Sequence, residues 1–480
     1  MKKILLLLLA TGFMWQAQGQ KRGDDPVRTD GQCWKTIASG GFCTVAIKED
    51  GTLWGWGSNM SNPLGNQPEV VDAPVQIGTD NNWAAISVGN SHTVALKTDG
   101  TLWAWGRNDS GQVGNGEYSI NPVTEPLQIG TDNDWTFICA GAGLGSAAIK
   151  ADGTLWTWGF VNTGESLIIE EEGGDVTTLF ITVPTQMGTD TNWKYVDVGH
   201  NHTAAIKTDG TLWTWGLNYH GELGQGNTID VYTPVQAGTD SDWKIVRANN
   251  VMTAAIKEDG TLWTWGENTG GSLGSGVTTA YQTNIPVQVG SDADWEYIDL
   301  GMNYFCGAIK EDGSLWTWGS NIDGANGHVE TEYLGTPTII ASETLWSEYV
   351  GGGSFSVALK ADGTLLTWGS NWYDQLGFNI EEDTVVNPTV VDTCAVTASL
   401  NDNTLTALSV YPNPTSGILN LANADTLNVE NITITDMSGK TVFNQKGNTT
   451  KIDVQHLPQG MYFLTITTGN NSTNLKFIKE

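Results

Sequence analysis

The stretch that decides the fold is His202-Thr203-Ala204-Ala205-Ile206-Lys207-Thr208-Asp209-Gly210-Thr211-Leu212-Trp213-Thr214-Trp215-Gly216, and close variants of it occur seven times in the chain. The spacing between units is 49 to 57 residues, counted from the glycine of each Asp-Gly pair: Gly51, Gly100, Gly153, Gly210, Gly260, Gly313 and Gly363. Periods of this length are typical of propellers, solenoids and arrays. Seven units fit one closed ring.

Each unit contains four strand-like runs. The run Trp193–Gly199 alternates with period two, which favours a strand over a helix. Asp209-Gly210 predicts a hairpin, because glycine tolerates positive φ. The rings of Trp213 and Trp215 project from one face of the next strand, and a run that contains proline, such as Pro234-Val235-Gln236, suits an edge strand.

The predicted fold is therefore all-β: residues 20–394 form a seven-bladed β-propeller of four-stranded blades, in which neighbouring blades bury each other's tryptophans. Nearly all of the 22 tryptophans have a repeat position. Leu366 replaces one paired ring, and Trp372 is the one tryptophan of the mature chain without a repeat position.

Residues 89–114 and 199–224 share one extended motif, with small departures: Gly-x-x-His-Thr-x-Ala-Ile-Lys-x-Asp-Gly-Thr-Leu-Trp-x-Trp-Gly-x-Asn-x-x-Gly-x-Leu-Gly. This motif resembles the regulator of chromosome condensation repeat. The resemblance covers roughly residues 30–394 and implies a seven-bladed propeller. Members of that family mostly bind other macromolecules, and they include a nuclear nucleotide-exchange factor and a secreted bacterial inhibitor of β-lactamases. The third unit departs from the pattern through an insertion that contains Glu170, Glu171 and Glu172.

Charge and leader indicate an exported protein. Residues 1–19 carry two lysines, an apolar run and a small-residue ending, which predicts a cleaved signal peptide, and we expect no transmembrane segment after it. The net charge of −31 repels phosphate backbones, so nucleic acid is disfavoured as a partner.

A second domain is predicted at 407–480, after a linker at 395–406, as a small β-sandwich. Its motifs resemble the type A C-terminal sorting domain of the type IX secretion system. That resemblance implies export in a Bacteroidota-type bacterium to the outside or the outer-membrane surface, with the tail read by the secretion machinery and the passenger released or attached to lipopolysaccharide. The residues that carry it are Tyr411, Pro412, Asn413, Pro414, Gly417, Gly439, Gly460, Tyr462 and Lys476.

Five cysteines in an exported chain leave at least one unpaired. Cys33 precedes the first blade, and Cys394 follows the last edge strand at a distance that brings it opposite Cys33 on a closed ring. We therefore predict a Cys33–Cys394 disulfide, with two unrelated thiols as the alternative. Cys43, Cys139 and Cys306 are expected to be small buried residues.

No cofactor, metal site or catalytic residue is predicted. His200 and His202 have a spacing that a metal could use, but His202 occupies a repeat position. Carboxylates in the loops at 132–134, 240–242 and 292–294 could bind calcium, although aspartates before a strand more often form local turns.

Trp372 and Tyr373, aligned with Tyr219 and His220, lie in loops where no core position requires an aromatic ring. Exposed rings of this kind stack on sugars or anchor a protein partner, whereas local packing within the loop is the plainer interpretation. We therefore expect a macromolecule, either an extracellular protein or a glycan, to bind loops on one rim. An enzyme acting on polysaccharide and a protein inhibitor of a secreted hydrolase are the alternatives.

Overall fold

The computed structural model describes residues 33–160, 168–170, 176–178, 180–277, 280–329, 331–341, 345–378, 380, 382–392, 409–422, 431–436, 440–447, 451–468 and 471–480. The predicted leader, 1–19, and the predicted linker, 395–406, lie outside these residues. The chain divides into two compact units, Met1–Cys394 and Ala395–Glu480, and each has its own hydrophobic core.

The first unit is a seven-bladed β-propeller, as predicted, with seven four-stranded antiparallel sheets. Each sheet pairs its strands in chain order, and the first strands of neighbouring blades contact each other around the axis. The first strand of the last blade also contacts the first strand of the first blade, so the ring is closed.

The strands, blade by blade, are β1 (Trp34–Ser39), β2 (Cys43–Lys48), β3 (Leu53–Ser58), β4 (Val70–Gln76); β5 (Trp83–Val88), β6 (His92–Lys97), β7 (Leu102–Asn108), β8 (Ser119–Gln128); β9 (Trp135–Ala140), β10 (Leu144–Lys150), β11 (Leu155–Phe160), β14 (Ile181–Gln186); β15 (Trp193–Val198), β16 (His202–Lys207), β17 (Leu212–Gly216), β18 (Val231–Gln236); β19 (Trp243–Asn249), β20 (Met252–Lys257), β21 (Leu262–Glu267), β22 (Gln282–Gln288); β23 (Trp295–Gly301), β24 (Phe305–Lys310), β25 (Leu315–Ser320), β26 (Tyr333–Ala341); and β27 (Trp346–Gly351), β28 (Phe355–Lys360), β29 (Leu365–Ser370), β30 (Thr384–Asp392). A two-stranded hairpin of β12 (Ile168–Glu170) and β13 (Val176–Thr178) falls within the insertion of the third unit. The described residues contain no α-helix, only two short 3-10 turns at Thr269–Gly271 and Ile322–Gly324.

Tryptophan packing within a blade follows one geometry, shown here by the fourth blade. Trp193 meets both Trp213 and Trp215 edge-on, with ring centroids 6.1 and 6.2 Å apart. Trp215 is fully buried, whereas Trp213 is half-buried and donates a hydrogen bond from Nε1 to the Thr211 hydroxyl. That hydroxyl in turn donates to Asp209, so the Asp-Gly-Thr hairpin and the first ring of the pair hold each other in place.

Neighbouring blades are joined by a shared carbonyl acceptor. Among the described residues, five interfaces have one loop carbonyl that accepts a hydrogen bond from the second tryptophan of the next blade and another from a Ser, Thr or Cys of the second strand of that blade. At Glu222 O, for example, Trp265 Nε1 and Thr253 Oγ1 both donate at 2.8 Å. The other four carbonyls belong to Pro63, Gln112, Ser272 and Ala325. Core indoles therefore fix both blade packing and loop position.

The second unit is a β-sandwich, also as predicted. One sheet comprises β31 (Ser409–Tyr411), β32 (Ile418–Ala422) and β35 (Lys451–Asp453), and the other comprises β33 (Asn431–Asp436), β34 (Thr441–Lys446), β36 (Gly460–Thr468) and β37 (Asn471–Lys479). Apolar side chains of both sheets, including Leu419, Ile434 and Phe477, form one core.

Candidate functional site

The propeller has two chemically different ends. Successive antiparallel strands place their connections alternately at opposite ends of a sheet. We call the end with the connections after the first and third strands of each blade the upper rim. The lower rim has the hairpins after the second strands and the connections between blades.

A buried lysine organises the lower rim of a blade. Lys207 Nζ lies 2.7 Å from Asp190 Oδ2 and 3.7 and 4.7 Å from the ring centroids of Trp213 and Trp193. The carboxylate and the two π-faces offset the cost of burying the ammonium group. The same arrangement joins Lys97 to Asp80, Lys150 to Asp132, Lys257 to Asp240 and Lys310 to Asp292.

The acidic loops considered above for calcium are thus engaged with lysines. Asp240 and Asp242 lie 2.7 and 3.1 Å from Lys257 Nζ. Burial opposes the charge of this lysine, but the two aspartates outweigh burial and raise its pKa. Among the residues that the structure describes, no group of three or more His, Cys, Asp or Glu side chains is placed to hold a metal ion.

The upper rim displays apolar side chains. Nine large apolar residues of its described loops are at least half exposed, and they include Trp372 at 66% and Tyr219 at 68%. In the described connections of the lower rim, Leu345 is the one large apolar side chain that is exposed. The other upper-rim residues of this set are Met60, Tyr118, Ile229, Val277, Tyr281, Ile322 and Val329.

A buried asparagine explains why some of these side chains face solvent. Asn218 donates from Nδ2 to two carbonyls of its own loop and accepts at Oδ1 from Leu223 N–H. The loop is thereby closed, and the residue after the asparagine is left outside. Met60, Tyr219, Ile322 and Trp372 all follow such an asparagine: Asn59, Asn218, Asn321 and Asn371.

Trp372 and Tyr373, the predicted pair, have different surroundings. Trp372 is exposed, whereas the Tyr373 ring packs 5.1 Å from the ring of Phe42, which belongs to the first blade. Local packing therefore describes Tyr373 and does not describe Trp372. A contact role for Trp372 stays a prediction.

The aligned pair behaves in the same way. Tyr219 is exposed, while the His220 ring is half-buried, 5.9 Å from the ring of Tyr281. His220 Nδ1 is also 3.8 Å from Glu267 Oε2, and that carboxylate accepts hydrogen bonds from the Tyr281 and Tyr304 hydroxyls. His220 thus joins a polar cluster contributed by three blades.

Carboxylates lie among the apolar side chains of the upper rim. Glu382 and Asp383 are in the Trp372 loop, and Asp230 is in the Tyr219 loop. The described upper-rim loops contain no lysine or arginine; Arg107, at the end of β7, pairs with Asp109 at 2.6 Å. The acidic residues of these loops with exposed side chains are Glu69, Glu117, Glu332, Glu382 and Asp383.

A cavity of about 160 Å³ lies on the axis, between the first strands of the blades. Its ionisable side chains include Asp197, Arg247, Asp299 and Glu348. Arg247 Nε donates to Asp299 at 3.2 Å, and the guanidinium lies between the rings of Tyr195 and Tyr297, 5.2 and 5.5 Å from their centroids. This cluster was not predicted from the sequence, where its signal is a polar residue at the fifth position of β15, β19 and β23.

The axial carboxyls connect neighbouring blades. Asp197 accepts from Ala248 N–H in the next blade, and Asp299 accepts from Gly351 N–H in the next blade. Burial is the main cause that raises the pKa of Asp197 to about 7 and the pKa of Glu348 to about 8. We interpret the cluster as a structural network, because its carboxyl groups are engaged by backbone and side-chain donors.

The two histidines considered as a metal pair face different surroundings. His202 is buried and its Nε2 lies 2.9 Å from Thr253 Oγ1, whereas His200 is exposed. Burial lowers the pKa of His202 to about 3 and the pKa of His92, at the same repeat position, to about 4. Both buried imidazoles are therefore neutral and structural.

The cysteines fall into two groups. Cys43, Cys139 and Cys306 are buried free thiols. Cys33 is disulfide-bonded. The predicted partner, Cys394, lies outside the described residues, so this pairing stays a prediction that peptide mapping without reductant can test.

The tail motif joins the start of the second unit to its end. Asn413 donates to Lys476 O at 3.1 Å and accepts from Ile478 N–H at 2.9 Å. Tyr462 stacks on Phe477 and donates its hydroxyl to Pro458 O. The peptide bonds before Pro412 and Pro414 are cis, and Gly417 O accepts from Val454 N–H. Gly439 lies outside the described residues.

Sequence families match both units. Two family models of the regulator of chromosome condensation (RCC1) repeat match the first unit. One matches residues 34–61, 83–112 and 193–222, and the other matches residues 50–96, 99–147, 209–249 and 259–306. Residues 409–480 match the secretion system C-terminal sorting domain. No curated protein matches the chain. Among the residues whose structure is described, no helical segment has the length and hydropathy that crossing a bilayer requires.

Solved structures show the same fold at low sequence identity. Human WBSCR16 is 20% identical, with a TM-score of 0.62 over 72% of this chain and 95% of that chain. Yeast RCC1 (Prp20) bound to Kap60 is 18% identical, with a TM-score of 0.61 over 78% and 91%. Prp20p from Saccharomyces cerevisiae is 19% identical, with a TM-score of 0.62 over 76% and 87%. The first unit is therefore a β-propeller of regulator of chromosome condensation (RCC1) repeats, and the second is a type IX C-terminal sorting domain.

Proposed function

We propose that this propeller is a binding protein, exported through its sorting domain, whose upper rim docks on an extracellular protein. The sorting domain points to secretion and to an extracellular or outer-membrane surface location. It also implies interaction with the type IX machinery. The cargo that it delivers is the propeller.

The observation that carries the proposal is the difference between the two rims. Between the two rims, the large exposed apolar side chains of the described loops lie almost entirely on the upper one, and exposed apolar surface marks interaction sites. On the lower rim, lysine side chains instead form ion pairs with aspartates and cation–π contacts with tryptophans, as Lys207 does.

Trp372 and Tyr219 are the proposed anchors. Both follow a buried asparagine that fixes the loop, so each ring is presented on a closed backbone and loses little freedom on binding. Aromatic side chains held in this way supply much of the affinity in protein interfaces. Tyr373 and His220 support the two loops through contacts with neighbouring blades.

Binding is preferred to catalysis because the charged side chains of the axial cavity are engaged in contacts between blades. RCC1-repeat propellers are also mainly binding or exchange-factor proteins. The inhibitor alternative is a special case of the same docking.

Affinity capture from cell-surface extracts tests the proposal. The full-length chain is compared with the Trp372→Ala, Tyr219→Ala double variant and with Leu345→Ala, which removes the exposed apolar side chain of the opposite rim. We expect the double variant to lose the captured protein and Leu345→Ala to retain it. Equal capture by all three chains would contradict the proposal.

A further inference from the structure

The upper rim carries a second feature that apolar docking alone does not explain, which is the sign of its charge. The described upper-rim loops contain carboxylates and no lysine or arginine. The lysines that end the second strands instead lie at the lower ends of the blades, where five of them pair with aspartates. The formal charges in the loops that display the apolar side chains are therefore all negative.

We propose that the upper rim recognises a cationic protein surface, rich in lysine or arginine and carrying apolar residues. This inference rests on the proposed function and specifies the chemistry of its partner. Carboxylates and apolar side chains share the same loops: Glu382 with Trp372, Asp230 with Tyr219, and Glu332 with Ile322. An arginine or lysine side chain satisfies both features, because its apolar stem covers a ring while its charged head reaches a carboxylate.

The same features disfavour other partners. Nucleic acids, acidic glycans and anionic lipid headgroups all bring negative charge to a negative surface. A neutral glycan would stack on Trp372 or Tyr219 and donate hydroxyl hydrogen bonds to carboxylates, but it has no net charge through which the negative rim would attract it. A protein with a net charge opposite to the −31 of this chain gains from both the local loops and the long-range field.

The two kinds of side chain are expected to act on different rate constants. Rim charges steer the encounter, so removing them lowers the association rate constant. Buried aromatic anchors hold the complex together, so removing them raises the dissociation rate constant. This difference makes the charge inference separable from the docking proposal.

The experiment selects a random peptide library, displayed on phage, against the immobilised full-length chain. We expect the enriched peptides to combine lysine or arginine with aromatic or aliphatic residues. Their affinity is expected to fall as the ionic strength rises. Enrichment of neutral or acidic peptides, or of no peptide that depends on the upper rim, overturns the inference.

Matched variants then separate the two claims on one enriched peptide. Glu332→Gln with Glu382→Gln removes two exposed charges from the upper rim, and Glu258→Gln with Glu311→Gln removes two from the lower rim. We expect the upper pair to lower the association rate constant at least about threefold and the lower pair to leave it nearly unchanged. Equal effects of both pairs overturn the inference.

The aromatic variant distinguishes the two possible failures. Trp372→Ala with Tyr219→Ala is expected to raise the dissociation rate constant about tenfold or more. If this variant acts as expected while the upper charge pair has no effect, the cationic partner is wrong and the docking rim stands. If the aromatic variant has no effect, the docking rim itself is wrong.

Discussion

Glu348 in the last blade and Thr36 in the first blade are joined by a hydrogen bond of 2.9 Å between Thr36 Oγ1 and Glu348 Oε1. Glu348 Oε2 also accepts from Ile37 N–H at 3.1 Å, so one buried carboxyl closes the ring at the axis. Glu348→Ala leaves both donors without this acceptor, and we expect it to lower the free energy of unfolding by about 2–3 kcal/mol. Urea denaturation followed by tryptophan fluorescence measures the loss. Glu348→Gln keeps an acceptor oxygen and is expected to cost less than about 1 kcal/mol; equal losses would argue against ring closure through this side chain.

The axial carboxyls predict an unusual pH dependence. Burial, as the main cause, raises the pKa of Glu348 to about 8 and that of Asp197 to about 7, from ordinary values of 4.5 and 3.8. Between the ordinary and the raised values the folded chain holds protons that the unfolded chain has released. The free energy of unfolding therefore falls as pH rises through this window.

Thermal unfolding between about pH 5 and about pH 8 measures this dependence, and we expect Glu348→Gln and Asp197→Asn to flatten it. The hairpin aspartates act at lower pH with the opposite sign. Hydrogen bonds from Thr211 lower the pKa of Asp209, so its contribution is lost as the solution becomes more acidic. If the melting temperatures of the two axial variants changed with pH as the melting temperature of the parent protein does, the buried axial carboxyls would not be the source of the pH dependence.

The lysine of the lower rim is expected to stabilise its blade. Lys207→Met keeps most of the side-chain volume but removes the ion pair with Asp190 and the cation–π contacts with Trp193 and Trp213. We expect a loss of about 1–2 kcal/mol, mainly from the cation–π contacts, because Asp190 is half exposed and solvent screens the ion pair.

Lys360 provides the internal comparison for this prediction. Leu366 stands in place of the first ring of the tryptophan pair in the last blade, and Lys360 Nζ lies 5.8 Å from the Trp346 centroid. Lys360→Met is therefore expected to cost less than Lys207→Met in the same denaturation assay. If Lys360→Met cost more stability than Lys207→Met, the tryptophan rings would not be the main source of the stabilisation by these lysines.

Trp372 and Tyr373 are neighbours in sequence with different expected roles. Trp372→Ala removes an exposed ring, so we expect an unchanged melting temperature together with loss of partner binding. Tyr373→Ala removes a ring that packs on Phe42 across the junction of the last and first blades, and we expect it to cost about 1 kcal/mol of stability. Differential scanning calorimetry of the two variants decides the matter, and a lower melting temperature for Trp372→Ala would place that ring in the fold.

The sequence predicted the features that repeat. The tryptophan positions, the Asp-Gly hairpins and the outer strands with proline recur with one period, and the family matches and the structure confirm the propeller and the tail. The axial side chains were missed because Asp197, Arg247 and Asp299 occupy one strand position with different residues. Single aromatic residues in the sequence do not indicate which rim binds a partner. Four blades share the signal for the upper rim, an exposed apolar residue after a buried asparagine: Met60, Tyr219, Ile322 and Trp372.

The pairing of Tyr373 with Phe42 was also beyond sequence reasoning. These residues lie at opposite ends of the propeller sequence, and only closure of the ring brings their rings to 5.1 Å. Contacts that cross the junction depend on the rotation between blades, which a repeat period does not specify.

The most direct measurement of the central claim is hydrogen–deuterium exchange of the full-length chain, alone and with a partner obtained by capture. The account predicts slower exchange on binding in the upper-rim loops 217–230 and 371–378, with the lower-rim hairpins at 208–211 and 258–261 unchanged. Protection of the lower-rim hairpins or the outer strands instead of these loops would contradict it.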